Sequence, residues 1–211
     1  NGMTWNANGT SIFTACNGVA WNGAMWVAVG TGVGSIAYSP DGINWAPADD
    51  SQLILNRGND VAWSGSMWVA VGGNPAGGNL NTFAYSYDGK IWIPGGNIIF
   101  AAGTSVAWNG RMWVATGYAG PGLLNNTLAY SYDGISWIPN GAVQFNNYAL
   151  AVAWNGTYWL AGGDGTSERL IWASLDGINW IQTNFTSGQP TTSCTSLAWN
   201  GVQWYAGGQN G

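Results

Sequence analysis

Nine carboxylates and four cations are the whole charged stock of this 211-residue chain, beside sixteen tryptophans, two cysteines and no histidine. Hydrolysis of a glycosidic bond needs two carboxyl groups flanking the scissile bond. Asp41, Asp88, Asp133 and Asp176 each precede a glycine in one recurring pattern and read as turn residues, with functional contact secondary. Asp49, Asp50, Asp60, Asp164 and Glu168 remain. Of these, Asp164 with Glu168 and the adjacent Asp49-Asp50 are the only groupings, too little to carry a hydrolase. Transition-metal sites are built from clustered His, Cys and carboxylate ligands. Without histidine, and with only Cys16 and Cys194, the chain is expected to hold no such metal and no cofactor; Asp49-Asp50 is a weak calcium candidate. The cations Arg57, Lys90, Arg111 and Arg169 are scattered, and the net charge is −5, which speaks against nucleic acid as a partner.

The tryptophans are the remaining chemical resource, since an indole face can stack on a sugar ring. Their spacing gives them another meaning. The first of a pair falls at Trp21, Trp63, Trp108, Trp154 and Trp199, and the second follows five residues later at Trp26, Trp68, Trp113, Trp159 and Trp204. A third column holds Trp45, Trp92, Trp137 and Trp180, with Trp5 as a stray copy, and Trp172 is read as standing where other copies have Tyr38, Tyr85 and Tyr130. A residue recurring at one position in every copy of a repeat is a packing residue between neighbouring units before it is a ligand contact.

Each copy reads as four short strands. The first two flank Asn22-Gly23, Ser64-Gly65, Asn109-Gly110, Asn155-Gly156 or Asn200-Gly201, pairs suited to the positive φ angles of a type I′ hairpin. The third runs into Asp-Gly, and the fourth surrounds the third-column tryptophan. Four antiparallel strands per repeat, with no helical periodicity, predict an all-β, five-bladed β-propeller with blades at 16–47, 58–94, 103–139, 149–182 and 194–211, the last completed by 1–6. One domain over 1–211 is expected. No apolar run approaches the ~20 residues of a membrane helix, so membrane insertion is not expected.

The segments Ser39/Asp41/Gly42/Trp45, Ser86/Asp88/Gly89/Trp92, Ser131/Asp133/Gly134/Trp137 and Ser174/Asp176/Gly177/Trp180 resemble the Asp-box (BNR-like) repeat of β-propellers found in sialidases, lectins and surface proteins. The usual box carries one more residue between Asp and Gly, so the likeness is to a variant. It implies that the box is a structural turn between third and fourth strands. The sialidase catalytic set does not carry over, because that chemistry clusters arginines and this chain scatters its cations. Blade count resembles the five-bladed lectin propellers, without a transferable sugar-contacting motif.

Closure follows from the ends. Asn1-Gly2-Met3-Thr4-Trp5 reads as a fourth strand and 196–211 as the first two strands of a blade, so pairing them closes a ring and removes an open edge. The tally leaves one third strand wanting: residues beyond Gly211, a short blade, or a strand from a neighbour would each account for it. Cys16 and Cys194 lie five residues before the first tryptophan of copies that meet only in a closed ring. A disulfide needs Cα atoms ~4.4–6.8 Å apart, which a five-fold ring allows only beside its axis; a bridge, implying an oxidising compartment, and two free thiols stand as even alternatives.

The tight turns all lie on one face, and the connections 31–35, 74–82, 118–127 and 164–169, with 56–59, 95–97, 146–148 and 188–193, lie on the other. Variable loops on a rigid scaffold are where binding residues sit. Asn74, Asn79, Asn125, Asn126, Asp164, Glu168 and Arg169 are the ligand candidates on that face. Amide-rich loops suit hydroxyl-rich ligands, so the expected function is non-catalytic, lectin-like recognition of neutral glycans; the alternative is a self-assembling structural module of a fibre, virion or extracellular assembly. The low charge suits an extracellular or particle-surface location, and the sequons at Asn8, Asn125, Asn155 and Asn184 matter only where secreted proteins are glycosylated.

Overall fold

The computed structural model of the chain describes residues 12–49, 55–73, 81–120, 126–141, 145–165, 170–183 and 192–209. They form five antiparallel sheets. The first holds β1 (Phe13–Trp21), β2 (Trp26–Gly32), β3 (Ile36–Ser39) and β4 (Ala46–Pro47), and the second β5 (Gly58–Trp63), β6 (Trp68–Gly72), β7 (Phe83–Ser86) and β8 (Ile93–Pro94). The third holds β9 (Ala102–Trp108), β10 (Trp113–Tyr118), β11 (Leu128–Ser131) and β12 (Ile138–Pro139), and the fourth β13 (Ala149–Trp154), β14 (Trp159–Gly163), β15 (Ile171–Ser174) and β16 (Ile181–Gln182). The fifth has β17 (Ser193–Trp199) and β18 (Trp204–Gln209) alone among the described residues.

Each sheet is a simple meander, and the sheets stand side by side in chain order. β1 packs on β5, β5 on β9, β9 on β13 and β13 on β17, so the first strand of every copy lines one axis. This is the arrangement of propeller blades. No comparable packing joins β17 back to β1 among the described residues, and residues 1–6, proposed to close the ring, lie outside them.

The second strand explains itself once it is seen between two neighbours. Trp68 and Ala70 of β6 face back to Val27 and Val29 of the first sheet, while Val69 and Val71 face forward to Trp113 and Ala115 of the third. Alternation puts successive side chains on opposite faces, and both faces are covered, so Trp-Val-Ala-Val is apolar throughout. Trp68, Trp113 and Trp159 are fully buried. Each removes on the order of 200 Å² from water, an upper-bound gain of about 5 kcal/mol at ~25 cal/mol per Å². The first-column tryptophans lie across the hairpin, half-buried except for the exposed Trp21, with Trp21–Trp26, Trp63–Trp68 and Trp108–Trp113 ring centroids 4.9, 4.8 and 5.0 Å apart.

Fit between sheets is set by matched sizes. A Cβ built on Gly58 would lie 2.5 Å from the Cβ of Val29, one on Gly103 would lie 2.7 Å from the Cβ of Val71, and one on Gly162 would lie 2.5 Å from the Sγ of Cys194. The β-strand column Val29, Val71, Thr116, Gly162 therefore faces the column Gly58, Gly103, Ala149, Cys194, large against small in the first three interfaces and small against large in the fourth.

Two expectations are corrected. The hairpin is not a type I′ turn centred on Asn-Gly: Trp21 pairs with Trp26 and Asn22 N–H donates to Met25 O, so the central residues are Gly23 and Ala24. Asn22 serves by its side chain, Oδ1 accepting Ala24 N–H at 2.9 Å and Met25 N–H at 2.7 Å. Ser64 fits the same place because its Oγ takes Ser66 and Met67 N–H. Only the glycine needs a positive φ, +99° at Gly23. Trp172 does not replace the repeated tyrosine: Trp172 pairs with Ala161 as Ala129 pairs with Ala115, and Ala173 pairs with Leu160 as Tyr130 pairs with Val114. One step along a strand reverses the face, so Trp172 points back to Phe145 and the third sheet, and the forward face is left with Ala173.

Candidate functional site

The axial strands carry the site, and an irregularity makes it. In every copy the pairing of first and second strand skips one residue: Asn17 between Cys16 and Gly18, Asn59 between Gly58 and Asp60, Thr104 between Gly103 and Ser105, Leu150 between Ala149 and Ala151, and Thr195 between Cys194 and Ser196. Each is the extra residue of a β-bulge, four positions before the first tryptophan. A bulge leaves its residue unpaired and re-aims the side chain. All five turn toward the axis and line one cavity of about 400 Å³ together with Arg57, Gly73 and Tyr118.

The same five residues decide how the sheets are tied. Asn17 Nδ2 donates to Gly58 O and Asn59 Nδ2 to Gly103 O, both at 2.7 Å, and Thr104 Oγ1 donates to Ala149 O at 2.6 Å. Leu150 has no donor and breaks the series. Thr195, facing no following sheet, bonds Gly207 O of its own hairpin at 3.2 Å. Asn59 Nδ2 also donates to Gly73 O at 3.4 Å, which occupies both of its N–H groups, while Asn17 Nδ2 uses one of its two; both residues have Oδ1 atoms to offer the cavity as acceptors.

The next residue in the strand forms a second tie. Asp60 Oδ2 accepts Val106 N–H at 3.0 Å and Ser105 Oγ–H at 2.8 Å, and Oδ1 accepts Val61 N–H at 2.9 Å. Burial between sheets raises the Asp60 carboxyl above its ordinary range against the pull of those bonds. Asp60 thus belongs to the wall and not to the cavity, whose only charged lining residue among the described residues is Arg57. The Arg57 side chain is exposed and has no partner among the described residues. Arg57, Gly73 and Tyr118 stand at the strand ends that carry the second-to-third and fourth-to-first connections, so the cavity opens on the loop face.

The other predicted residues fall into three groups. Asn74, Asn79, Asn125, Glu168 and Arg169 lie outside the described residues, as do the sequons at Asn8, Asn125 and Asn184. Asn126 and Asp164 are buried. Asp164 is spent on structure: its carboxylate accepts Asn147 N–H at 3.1 Å, Tyr148 N–H at 3.0 Å and Asn147 Nδ2 at 2.9 Å, closing one connection over another. The repeated aspartates hold turns. Asp41 Oδ1 accepts Ile43 and Asn44 N–H at 2.8 and 2.7 Å while Ser39 Oγ accepts Gly42 N–H at 2.9 Å, and Asp88, Asp133 and Asp176 repeat the arrangement. The Asn44 and Ile43 bonds hold Asp41 well below the usual carboxylate range. At Asp176, desolvation pushes upward but the bonds from Asn179, Ile178 and Ser174 outweigh it, leaving about 2.

The sequence leaves indole partners to the repeated Asp and Ser. Those oxygens are taken by backbone N–H groups. Trp45, Trp92 and Trp180 Nε1 donate instead to Gly42, Gly89 and Gly177 O, and the buried Nε1 of Trp68, Trp137, Trp159 and Trp172 has no partner.

Of the two alternatives for the cysteines, the structure has free thiols, Cys16 exposed and Cys194 buried. Their sheets are not brought together among the described residues. Burial raises the Cys16 thiol, and it pushes Cys194 up to about 11. No group of three or more His, Cys, Asp or Glu side chains that could hold a metal occurs among the described residues, and none of their helices is long and apolar enough to cross a membrane.

No protein-family model matches the chain, and no curated protein matches it. Solved structures do. YCF48 from Cyanidioschyzon merolae superposes with a TM-score of 0.60 at 12% identity, covering 91% of this chain and 62% of that one. A chain of the nidogen/laminin complex superposes with a TM-score of 0.63 at 10% identity, covering 90% of this chain and 71% of that one. This chain thus spans less than two thirds of the YCF48 chain. At such identities the likeness is one of fold, and it supports a β-propeller.

Proposed function

We propose that the chain is a non-catalytic binding module whose axial cavity takes a hydroxyl-rich ligand, a neutral glycan, from the loop face. The observation that carries this reading is the row of bulge residues: Asn17 and Asn59 offer amide oxygens, Thr104 and Thr195 hydroxyl lone pairs, and Leu150 and Tyr118 apolar surface, in about 400 Å³. That volume lies within the range of small-ligand sites. Tyr118 gives a ring to stack on, and Arg57 gives donors to sugar oxygens. A secreted or particle-surface location goes with this reading.

The reading includes closure of the five sheets into one ring through Asn1–Asn6, which would bound the cavity on all sides. Matched sizes support it. Gly207 holds in β18 the position of Gly162 in β14, and Cys16 holds in β1 the position of Cys194 in β17. The fifth interface would then set glycine against cysteine as the fourth does.

Equilibrium titration with neutral and acetylated oligosaccharides tests the function. Tyr118→Ala and Arg57→Gln should each weaken binding about 2–10-fold, the loss of one contact worth ~0.5–1.5 kcal/mol. Absence of binding across the whole set sinks the proposal.

A second reading, a module that packs against protein or against copies of itself, draws on the open seam. Val19 is 55% exposed where Val61, Val106 and Val152 are 4–6% exposed, and Tyr205 on the last sheet is 51% exposed. That one likeness is to a member of a nidogen/laminin complex accords with a protein partner. Sedimentation analysis separates the readings, a concentration-dependent oligomer favouring the second.

A further inference from the structure

A groove of about 520 Å³ runs along the outer half of the fourth sheet, walled by Tyr158, Ala173, Ser174, Leu175, Asn179 and Ile181, with Asp176 at its edge. Leu175 is 78% exposed and Ile181 71%. The same place on the first three sheets is filled by the turn and third-column tryptophan of the following sheet. Gly89 lies against Met25 and Val27, Gly134 against Met67 and Val69, and Gly177 against Met112 and Val114. Trp92 packs with Tyr38, Trp137 stacks on Phe83 with centroids 4.2 Å apart, and Trp180 packs with Tyr130.

The fourth sheet differs in both columns that make this seat. Tyr158 stands in the methionine column and Ala173 in the tyrosine column, so a ring has been removed from the floor and another placed at the rim. The rim ring is already engaged: Tyr158 Oη accepts Trp204 Nε1 at 3.0 Å, the indole N–H that in the other sheets lies beside that sheet's own turn glycine.

We propose that this groove is the seat of the Asn1-Gly2 turn and Trp5 of the same chain. The segment Asn1-Gly2-Met3-Thr4-Trp5 repeats the spacing of Asp41-Gly42-Ile43-Asn44-Trp45, with Asn for Asp. Four sheets supply four such tryptophans, three of which fill three grooves on the sheet before. Trp45 faces back from the first sheet, leaving the fourth groove to Trp5. Ala173 leaves open the room that Tyr38, Tyr85 and Tyr130 take up in the other sheets, beside the aliphatic side chains of Leu175 and Ile181. This rests on the closure proposed above and narrows it from a strand to one side chain in one place.

The test is made on the full chain with Trp5 replaced by the photo-crosslinker p-benzoylphenylalanine, irradiated at low concentration and mapped by peptide mass. A monomer-mass adduct on 170–183 or on Tyr158 is expected, and it should disappear when Ala173→Trp plugs the groove while tryptophan fluorescence still reports a folded chain. An adduct on 13–21 or 193–209 overturns the seat while leaving ring closure standing. A dimer-mass adduct on 170–183 assigns the groove to a second copy and overturns occupancy by the same chain. No adduct overturns both the seat and the closure on which it rests. With the natural side chain kept, 5-fluorotryptophan NMR should show one resonance, absent in Trp5→Phe, that shifts on Ala173→Trp; an unchanged resonance counts against the seat.

Discussion

Alanine at Gly162 is the sharpest test of the size-matching between sheets. Its Cβ would sit 2.5 Å from the Sγ of Cys194, 2.9 Å from its Cβ and 3.3 Å from its carbonyl O. Non-bonded carbon contacts are comfortable near 3.5–4.0 Å, so something must move by about 1 Å. Neither backbone is free to do so, because Gly162 is paired with Ala151 on one side and Ile171 on the other. Overpacking of this kind costs about 1–3 kcal/mol. Taking ~2 kcal/mol, the melting temperature should fall by roughly 4–8 °C, at ~2–4 °C per kcal/mol for a chain of this size. Cys194→Gly alone should cost about 1–2 kcal/mol in lost burial and added chain entropy. If the clash is the whole effect, the double variant should be no worse than Cys194→Gly alone, a coupling of ~2 kcal/mol in a double-mutant cycle. Urea unfolding followed by tryptophan fluorescence reads all four corners of the cycle. Additivity within ~0.5 kcal/mol would show that the two columns do not read each other and would refute the argument.

Three further outcomes are expected. Asp60 has a raised folded-state value, so its favourable contribution is full below the unfolded value of 3.8 and is lost as pH climbs through the raised one; the urea midpoint of the wild type should decline relative to Asp60→Asn as pH rises above 3.8, and parallel curves would contradict this. Asp176 behaves oppositely, its contribution present above 3.8 and lost as pH falls toward about 2, so Asp176→Ala should flatten the acid limb and the carboxyl ¹³C shift of Asp176 should still be titrating below pH 3. A thiol reagent should modify Cys194 only after unfolding, and Cys16, exposed where the seam is open, should be protected in the native protein once the ring closes; an intact mass two daltons low, with no reactive thiol, would mean that a bridge forms.

What the sequence made legible is what recurs. Columns of tryptophan at fixed spacing locate the strand pairs, and Asp-Gly locates the third turn, because every sheet meets the same neighbours in the same way. Asn22-Gly23 misleads about the hairpin because the same two letters satisfy two physical demands, positive φ at both residues or a side-chain acceptor before one glycine. Ser64 carried the answer, since serine suits only the second. Trp172 lies one residue from the tyrosine column that its aromatic ring suggests, and on a strand one step reverses the face. The axial site lay in plain view four positions before each first tryptophan. Asn, Asn, Thr, Leu and Thr do not look like a motif, and a bulge is invisible until the pairing of both strands is known. Asp164 shows why loop polarity alone does not locate a site, because the same carboxylate that nominates it for a ligand equally fits it to cap backbone N–H groups.

The bulge also separates two jobs that a strand residue usually performs together. A residue in the ladder holds its register and presents its side chain, so changing one disturbs the other. Asn17, Asn59, Thr104, Leu150 and Thr195 stand outside that pairing, and Leu150 shows that the sheet tolerates losing even the bond to its neighbour. On the reading proposed above, the axis offers five interchangeable slots on one frame, and a ligand preference would be rewritten there one sheet at a time, as letters are changed in a combination lock, without any sheet having to fold differently.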